Sequence, residues 1–103
     1  MRVNYLFETK PSDQERDYLE DKIAKVGKLL DAKQDDELMV DVEVSQNRHN
    51  FWRVELMVTT PRWKFRAEKE QPTFVEAVDG AKEALMKQIR REKEKVRDDR
   101  RRS

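Results

Sequence analysis

Apolar residues recur at every second position in four stretches of the chain and at every third or fourth in two others, and that change of period predicts the elements. VNYLF places Val3, Tyr5 and Phe7 on one face of a short strand. Further on, Leu38, Val40, Val42 and Val44 alternate with Met39, Asp41, Glu43 and Ser45, so one face is greasy and the other wet. The same two-faced pattern returns in Trp52, Val54, Leu56 and Val58 against Arg53, Glu55, Met57 and Thr59. It returns again in Trp63, Phe65 and Ala67 against Lys64, Arg66 and Glu68. QNRHN supplies turn-prone residues between the second and third of these strands, and Pro61 stands where another tight turn is due. The last three strands therefore form a meander.

The two remaining stretches are helical. Pro11, then Ser12 followed by Glu15, reads as a capping box, and Leu19, Ile23, Val26 and Leu30 continue at helical steps, predicting a helix from about Ser12 to Leu30. Pro72 with Thr73 and Glu76 repeats the signal ahead of the stripe Phe74, Val78, Ala81, Leu85 and Ile89. The next stripe position is Glu92, and beyond Ile89 only Val96 returns to the buried side. QIRREKEKVRDDRRRS, residues 88–103, is thus expected to run past the core. DAKQDDE, residues 31–37, reads as a polar connection. The order β-α-β-β-β-α predicts an α+β fold in which the first strand, helix and second strand make a right-handed crossover. A four-stranded mixed sheet results, first strand parallel to second, with two roughly parallel helices on its apolar face. Residues 1–97 are expected to form one domain and 98–103 a basic C-terminal tail. Gly27 and Gly80 fall inside the helices at a cost of about 1 kcal/mol each relative to alanine, for which close helix contact and a tolerated surface position are both open explanations.

At 103 residues the chain has room for a core without covalent staples. The absence of cysteine removes disulfides, thiolate catalysis and sulfur-bound zinc, and fits a reducing compartment, by default the cytoplasm. MRVNYLFETK is too short in apolar residues for a signal peptide, and no later run is long enough to cross a bilayer. The lone His49 lies in a predicted turn, so a histidine metal cluster or a Ser-His-Asp relay lacks its partners. Glu15, Glu20, Asp21, Glu83, Glu92 and Glu94 sit among lysines and arginines at helical spacing, as solvated surface pairs do. With only two glycines far apart, there is no phosphate loop. The expectation is a protein that is not an enzyme and has no cofactor, metal or small-molecule substrate. Trp52, Trp63 and Phe65 share the parity of the valines and are expected in the core, leaving Phe51 on the outer face.

Charge adds a direction. The net charge of the whole chain is +1, yet residues 90–102 hold eight arginines or lysines against four acids, leaving the rest of the chain net acidic. Segregation of that kind is a footprint of polyanion binding, and also of a solvated tail. Lys22, Lys25 and Lys28 recur at steps of three on the first helix, and Lys87, Arg91 and Lys95 at steps of four on the second, with Arg90 beside them. Such rows can present cations to a phosphate backbone, the arginines as forked donors. They can equally be salt-bridged surface, through pairs such as Arg90 with Glu94 and Lys95 with Asp99. The pattern leaves the two readings level.

DKIAKVGK in the first helix, VEVSQNRHNFWRVELMVTTPRWKFRAEKE through the hairpins and FVEAVDGAKEALMKQIRREKEK in the second helix resemble, in that order, the ribosome hibernation-promoting factor family with its protein Y type. The resemblance covers residues 18–97 and implies the fold derived above, which is also like that of double-stranded RNA-binding domains. It implies a translation inhibitor that occupies the mRNA and tRNA channel of the small ribosomal subunit in idle ribosomes. The partners so implied are the subunit and its rRNA, without a membrane, for a protein that is monomeric off the ribosome. Position by position, Lys22, Lys25 and Lys28 correspond to the family's basic row on the first helix, and Lys87, Arg91 and Lys95 to that on the second. Arg90 joins them as a candidate rRNA contact. Ala84 stands where a base is common, Glu92 where an apolar residue is common, and QPTF replaces the usual acidic-aromatic lead into the second helix. The expected type is the short form, without the extra domain of long members and with RRR where the protein Y type has an acidic tail. Two alternatives differ in mechanism: a double-stranded RNA binder, disfavoured by Glu76 and Asp79 at the start of the second helix, and a helix-mediated interaction protein, disfavoured by the lack of apolar heptad positions past Ile89.

Overall fold

The structure, a computed structural model, describes residues 1–30 and 38–102, with side chains described as far as Lys95. The predicted connection at 31–37, the side chain of Val96 and the pairing of Lys95 with Asp99 lie outside the described residues. Six elements follow in the predicted order: β1 (Arg2–Phe7), α1 (Asp13–Leu29), β2 (Met39–Gln46), β3 (Trp52–Thr59), β4 (Lys64–Gln71) and α2 (Phe74–Arg102). The sheet order is β1-β2-β3-β4, with β1 parallel to β2 and both later pairings antiparallel. This is the mixed α+β sheet that the alternation predicted.

Local chemistry starts the helices where the sequence signals stand. The Ser12 hydroxyl accepts from the Glu15 amide at 3.1 Å, and the Glu15 carboxylate accepts from the Ser12 amide at 2.9 Å, a complete capping box. At α2 the Thr73 hydroxyl likewise accepts from the Glu76 amide at 3.2 Å, but it donates to the Glu76 carboxylate at 3.0 Å, so the return bond stays between side chains. In the β2–β3 turn, the Asn47 carbonyl oxygen of the side chain accepts from the amides of His49 (2.8 Å) and Phe51 (3.1 Å). Asn50 takes a left-handed φ of 64°, a conformation asparagine tolerates better than most residues.

Register pairs Val42 with both Tyr5 and Leu56, and Leu56 with Ala67, so the inward side chains form rows across the sheet. Onto them pack Leu19, Ile23 and Val26 of α1 and Phe74, Val78, Ala81, Leu85 and Ile89 of α2, all buried. Burying a valine, leucine, isoleucine or phenylalanine side chain fully stabilises by about 1.5–3 kcal/mol relative to exposure, and among the described residues the stripe on α2 ends at Ile89. The helices run parallel and are tied twice: the Tyr18 hydroxyl donates to Asp79 at 2.5 Å, and the Lys93 ammonium donates to the carbonyl of Leu29. The second bond satisfies a last-turn carbonyl of α1 and places a cation at the negative end of its dipole.

Two expectations need correction, and the open question about the glycines is answered. Phe65 is core, but Trp52 and Trp63 are only half-buried and pack at the core's margins, Trp52 edge-on to Phe74 with centroids 5.2 Å apart. The outer face of the sheet is not uniformly wet. Glu55 there is only 7 % exposed, held by Arg53 at 2.9 Å and Arg66 at 3.0 Å. Its cross-strand neighbours are Glu43 and Glu68, so three carboxylates lie in one row and the two guanidiniums offset their repulsion. Neither glycine marks a helix–helix contact: a Cβ at Gly27 would meet the Met1 sulfur at 2.7 Å, and one at Gly80 would meet the Lys69 stem at 3.0 Å.

Candidate nucleic-acid interface

α2 is 29 residues long, about 44 Å at 1.5 Å per residue, which helps make the molecule 52 Å long against 25 and 17 Å across. It has no break at residue 97. Because 100° separates successive residues, cations on its second half are dealt to different flanks, and their contacts identify which. Lys93 faces α1, as its bond to Leu29 requires. Arg91 and Lys95 face the other way, toward the start of β4, where they line a cavity of about 450 Å³ with Arg62 and Lys64. Lys87 and Arg90 stand exposed on the outer surface between these flanks.

The other predicted cations stand on α1, the first of them beside the seam that Tyr18 makes with Asp79 of α2. Lys22 is half-buried with its ammonium 4.9 Å from the centre of the Tyr18 ring, while Lys25 and Lys28 are exposed. Lys25 reaches Asp21 at 3.4 Å and Lys95 reaches Glu92 at 3.6 Å, exposed pairs of little worth that exchange readily for a phosphate. Among the described residues Lys28, Lys87, Arg90 and Arg91 make no ion pair, and the anticipated bond between Arg90 and Glu94 is not formed.

Position adds Arg62 and Lys64, which the sequence did not single out, and Trp63, which its alternation with the valines had assigned to the core rather than to a base-stacking surface. Arg62 lies over the Trp63 ring at 5.0 Å, and the Trp63 ring tilts against Phe65 with centroids 6.2 Å apart. The Thr60 hydroxyl shapes this turn by accepting from the Trp63 amide at 2.7 Å and donating to its carbonyl at 3.1 Å. Gln88 fixes the opposite wall: its amide nitrogen donates to the Arg66 carbonyl at 2.7 Å and its oxygen accepts from the Arg66 amide at 3.3 Å. One side chain thus pairs the free edge of β4 as a neighbouring strand would. The parity rule that assigned Trp63 to the core gives no warning of this groove, because parity names a face and not what covers it, and among the described residues of α2 the buried stripe ends at Ile89.

His49 is exposed, and no group of three or more acids and histidines placed to hold a metal occurs among the described residues. No described helix is long and apolar enough to cross a membrane. The resolved perturbations are structural. Donation to Asp79, and then burial, pushes the Tyr18 phenol up to about 12, and the bond from Arg53 holds Glu68 below the usual carboxylate range.

Comparison with known proteins places this architecture. The Thermus thermophilus Protein Y N-terminal domain superposes with a TM-score of 0.70 at 31 % identity, over 88 % of this chain and 98 % of that one. A ribosomal subunit interface protein from Coxiella burnetii shares the fold, with a TM-score of 0.72 at 19 % identity over 90 % of this chain and 98 % of that one. No curated protein sequence matches the chain. The family model described as sigma 54 modulation protein / S30EA ribosomal protein matches residues 8–97. With nine-tenths of its length under that match, the chain belongs to the sigma 54 modulation protein / S30EA ribosomal protein family, the ribosome-associated hibernation-factor family that its helices and hairpins resemble.

Proposed function

We propose that the protein binds the small ribosomal subunit of idle ribosomes in the cytoplasm, occupies the channel of messenger and transfer RNA, and so inhibits translation. Lys22, Lys25, Lys28, Lys87, Arg90, Arg91 and Lys95 are the proposed rRNA contacts. Family membership supports the partner. The observation that carries the interface is the second half of α2, where Lys87, Arg90 and Arg91 are exposed and unpaired among the described residues while Arg62 and Lys64 extend their charge onto the sheet edge. On this half of the helix Lys87, Arg90, Arg91, Lys93 and Lys95 outnumber Glu92 and Glu94, so a polyanion meets a net positive surface, and the cations gain by displacing its condensed counterions. The face contributes no group for chemistry, which suits a plug rather than a catalyst.

The test is cosedimentation with purified small subunits. Replacing Lys87, Arg91 and Lys95 together by glutamate is expected to abolish it while leaving the thermal unfolding curve nearly unchanged, since all three side chains are exposed. Wild-type affinity should fall with salt by a logarithmic slope of about 0.7 to 0.9 per phosphate contact. Unimpaired sedimentation of the triple variant would count against this interface.

A further inference from the structure

The groove between the start of β4 and α2 differs from the rest of the basic surface because it contains an aromatic ring. Its volume, about 450 Å³, lies within the range of small-ligand sites. Four cations, Arg62, Lys64, Arg91 and Lys95, line it against the single carboxylate of Glu92. Of these four only Lys95 has an ion-pair partner among the described residues. A site for a phosphate alone would need no ring, and a site for an apolar group would not be walled with guanidiniums and ammoniums. The half-buried Trp63 indole has the exposed Arg62 guanidinium carbon 5.0 Å from its centre and the buried Phe65 ring tilted 37° beneath it, a loose cation–aromatic stack. Such a stack is complementary to the face of a nucleobase, which packs on aromatic rings and on guanidinium planes alike. The walls are preset: Thr60 holds the Trp63 backbone and Gln88 is clamped to Arg66.

We propose that this groove is a binding site for one unstacked nucleotide of a single RNA strand, its base against the Arg62–Trp63 stack and its flanking phosphates on Lys64 and Arg91. The site rests on the reading of the protein as an rRNA binder and adds base contact to it. Charge alone makes a surface indifferent to whether a strand carries bases; a stacking platform does not. The groove therefore fixes the α2 end of the interface to unpaired RNA, since in a duplex every base is stacked already.

The experiment measures the affinity of the full chain, at one fixed low salt concentration, for three probes of equal length: single-stranded oligoadenylate, the same strand with abasic sites throughout, and duplex RNA. Wild type is expected to prefer the intact strand over the abasic one by about tenfold, the range of one stacked base. Trp63→Leu keeps an apolar side chain against Phe65 and should erase the preference while leaving abasic binding unchanged. Arg62→Ala alters only an exposed side chain, so it should fold as wild type and reduce the same preference. Equal wild-type affinity for intact and abasic strands, duplex affinity as high as that of the intact strand, or an undiminished preference in both variants overturns the site. Cosedimentation of wild type with small subunits separates the two levels: if it persists while base preference is absent, the groove fails and the ribosome reading stands. If it is lost while the preference remains, the ribosome reading fails and the groove stands as an RNA site.

Discussion

One of the two bonds that tie the helices, from Tyr18 to Asp79, depends on a single proton, and that proton sets a pH dependence. The Tyr18 hydroxyl donates to Asp79 across the helix interface, with Lys22 over its ring and Asp21 nearby, and the phenol is pushed up from the ordinary 10.0 to about 12. Above pH 10 the unfolded chain releases this proton while the folded chain keeps it. The contribution to stability is therefore complete below about pH 10 and disappears as pH rises toward about 12. Tyr18→Phe should cost about 1 kcal/mol at neutral pH and make the urea midpoint less sensitive to alkali in that window. Part of the sensitivity should remain, because burial and Glu20 also raise Tyr5. Glu68 acts in the opposite direction: its carboxyl is held low chiefly by Arg53, so its contribution is present above the usual carboxylate range and is lost as pH falls through the lowered folded value.

Within α2, neighbouring cations do unrelated work. Lys93 and Arg91 differ by two residues, about 200° around the helix; one binds the carbonyl of Leu29 and the other lines the groove. Lys93→Met keeps the aliphatic stem and removes the donor. It is expected to lower stability by about 1 kcal/mol and to speed amide hydrogen exchange in the last turn of α1, while leaving small-subunit affinity near wild type. A large loss of affinity without a loss of stability would instead assign Lys93 to the interface. The same helix also protects the sheet: Gln88 occupies the polar edge of β4 at Arg66 where a second chain could otherwise pair.

For the whole molecule, stability and charge are separated along the long axis. Among the described residues the buried side chains of α2 end at Ile89, and residues 96–103 carry four arginines and two aspartates. Truncation after Lys95 removes two net positive charges and no described core residue. The thermal unfolding midpoint should stay within about 2 °C, in keeping with a surface change of under 0.5 kcal/mol. Affinity for small subunits should fall, and the salt slope should become shallower. An unchanged slope with a lower unfolding midpoint would show that the segment stabilises the fold rather than binding RNA.

Much of this was legible from periodicity. Val40, Val42, Val44, Val54, Leu56 and Val58 alternate without interruption, and every one is buried, because a strand with one covered face has only one register that hides its apolar side chains. Ser12 with Glu15 placed the start of α1 to the residue, since a cap is a local bond between neighbours. Trp63 and Glu55 show where local rules stop. Parity assigns a side chain to a face, but not to what covers that face. Trp63 points toward the helices at a level where their apolar stripe is ending, and Glu55 points away from them yet is enclosed by arginines from its own strand and the next.

The order of elements, the strand parities and the helix starts were readable along the chain, because each depends on residues a few positions apart. Packing alone sets which flank of α2 Lys93, Arg91 and Lys95 occupy, and it alone brings Arg62, Trp63 and Lys64 to Arg91 and Lys95. Those groups are about thirty residues apart in the chain. They become neighbours only when β4 is laid down at the sheet edge and α2 packs back across it, and no local spacing encodes the distance between two elements that fold onto one another.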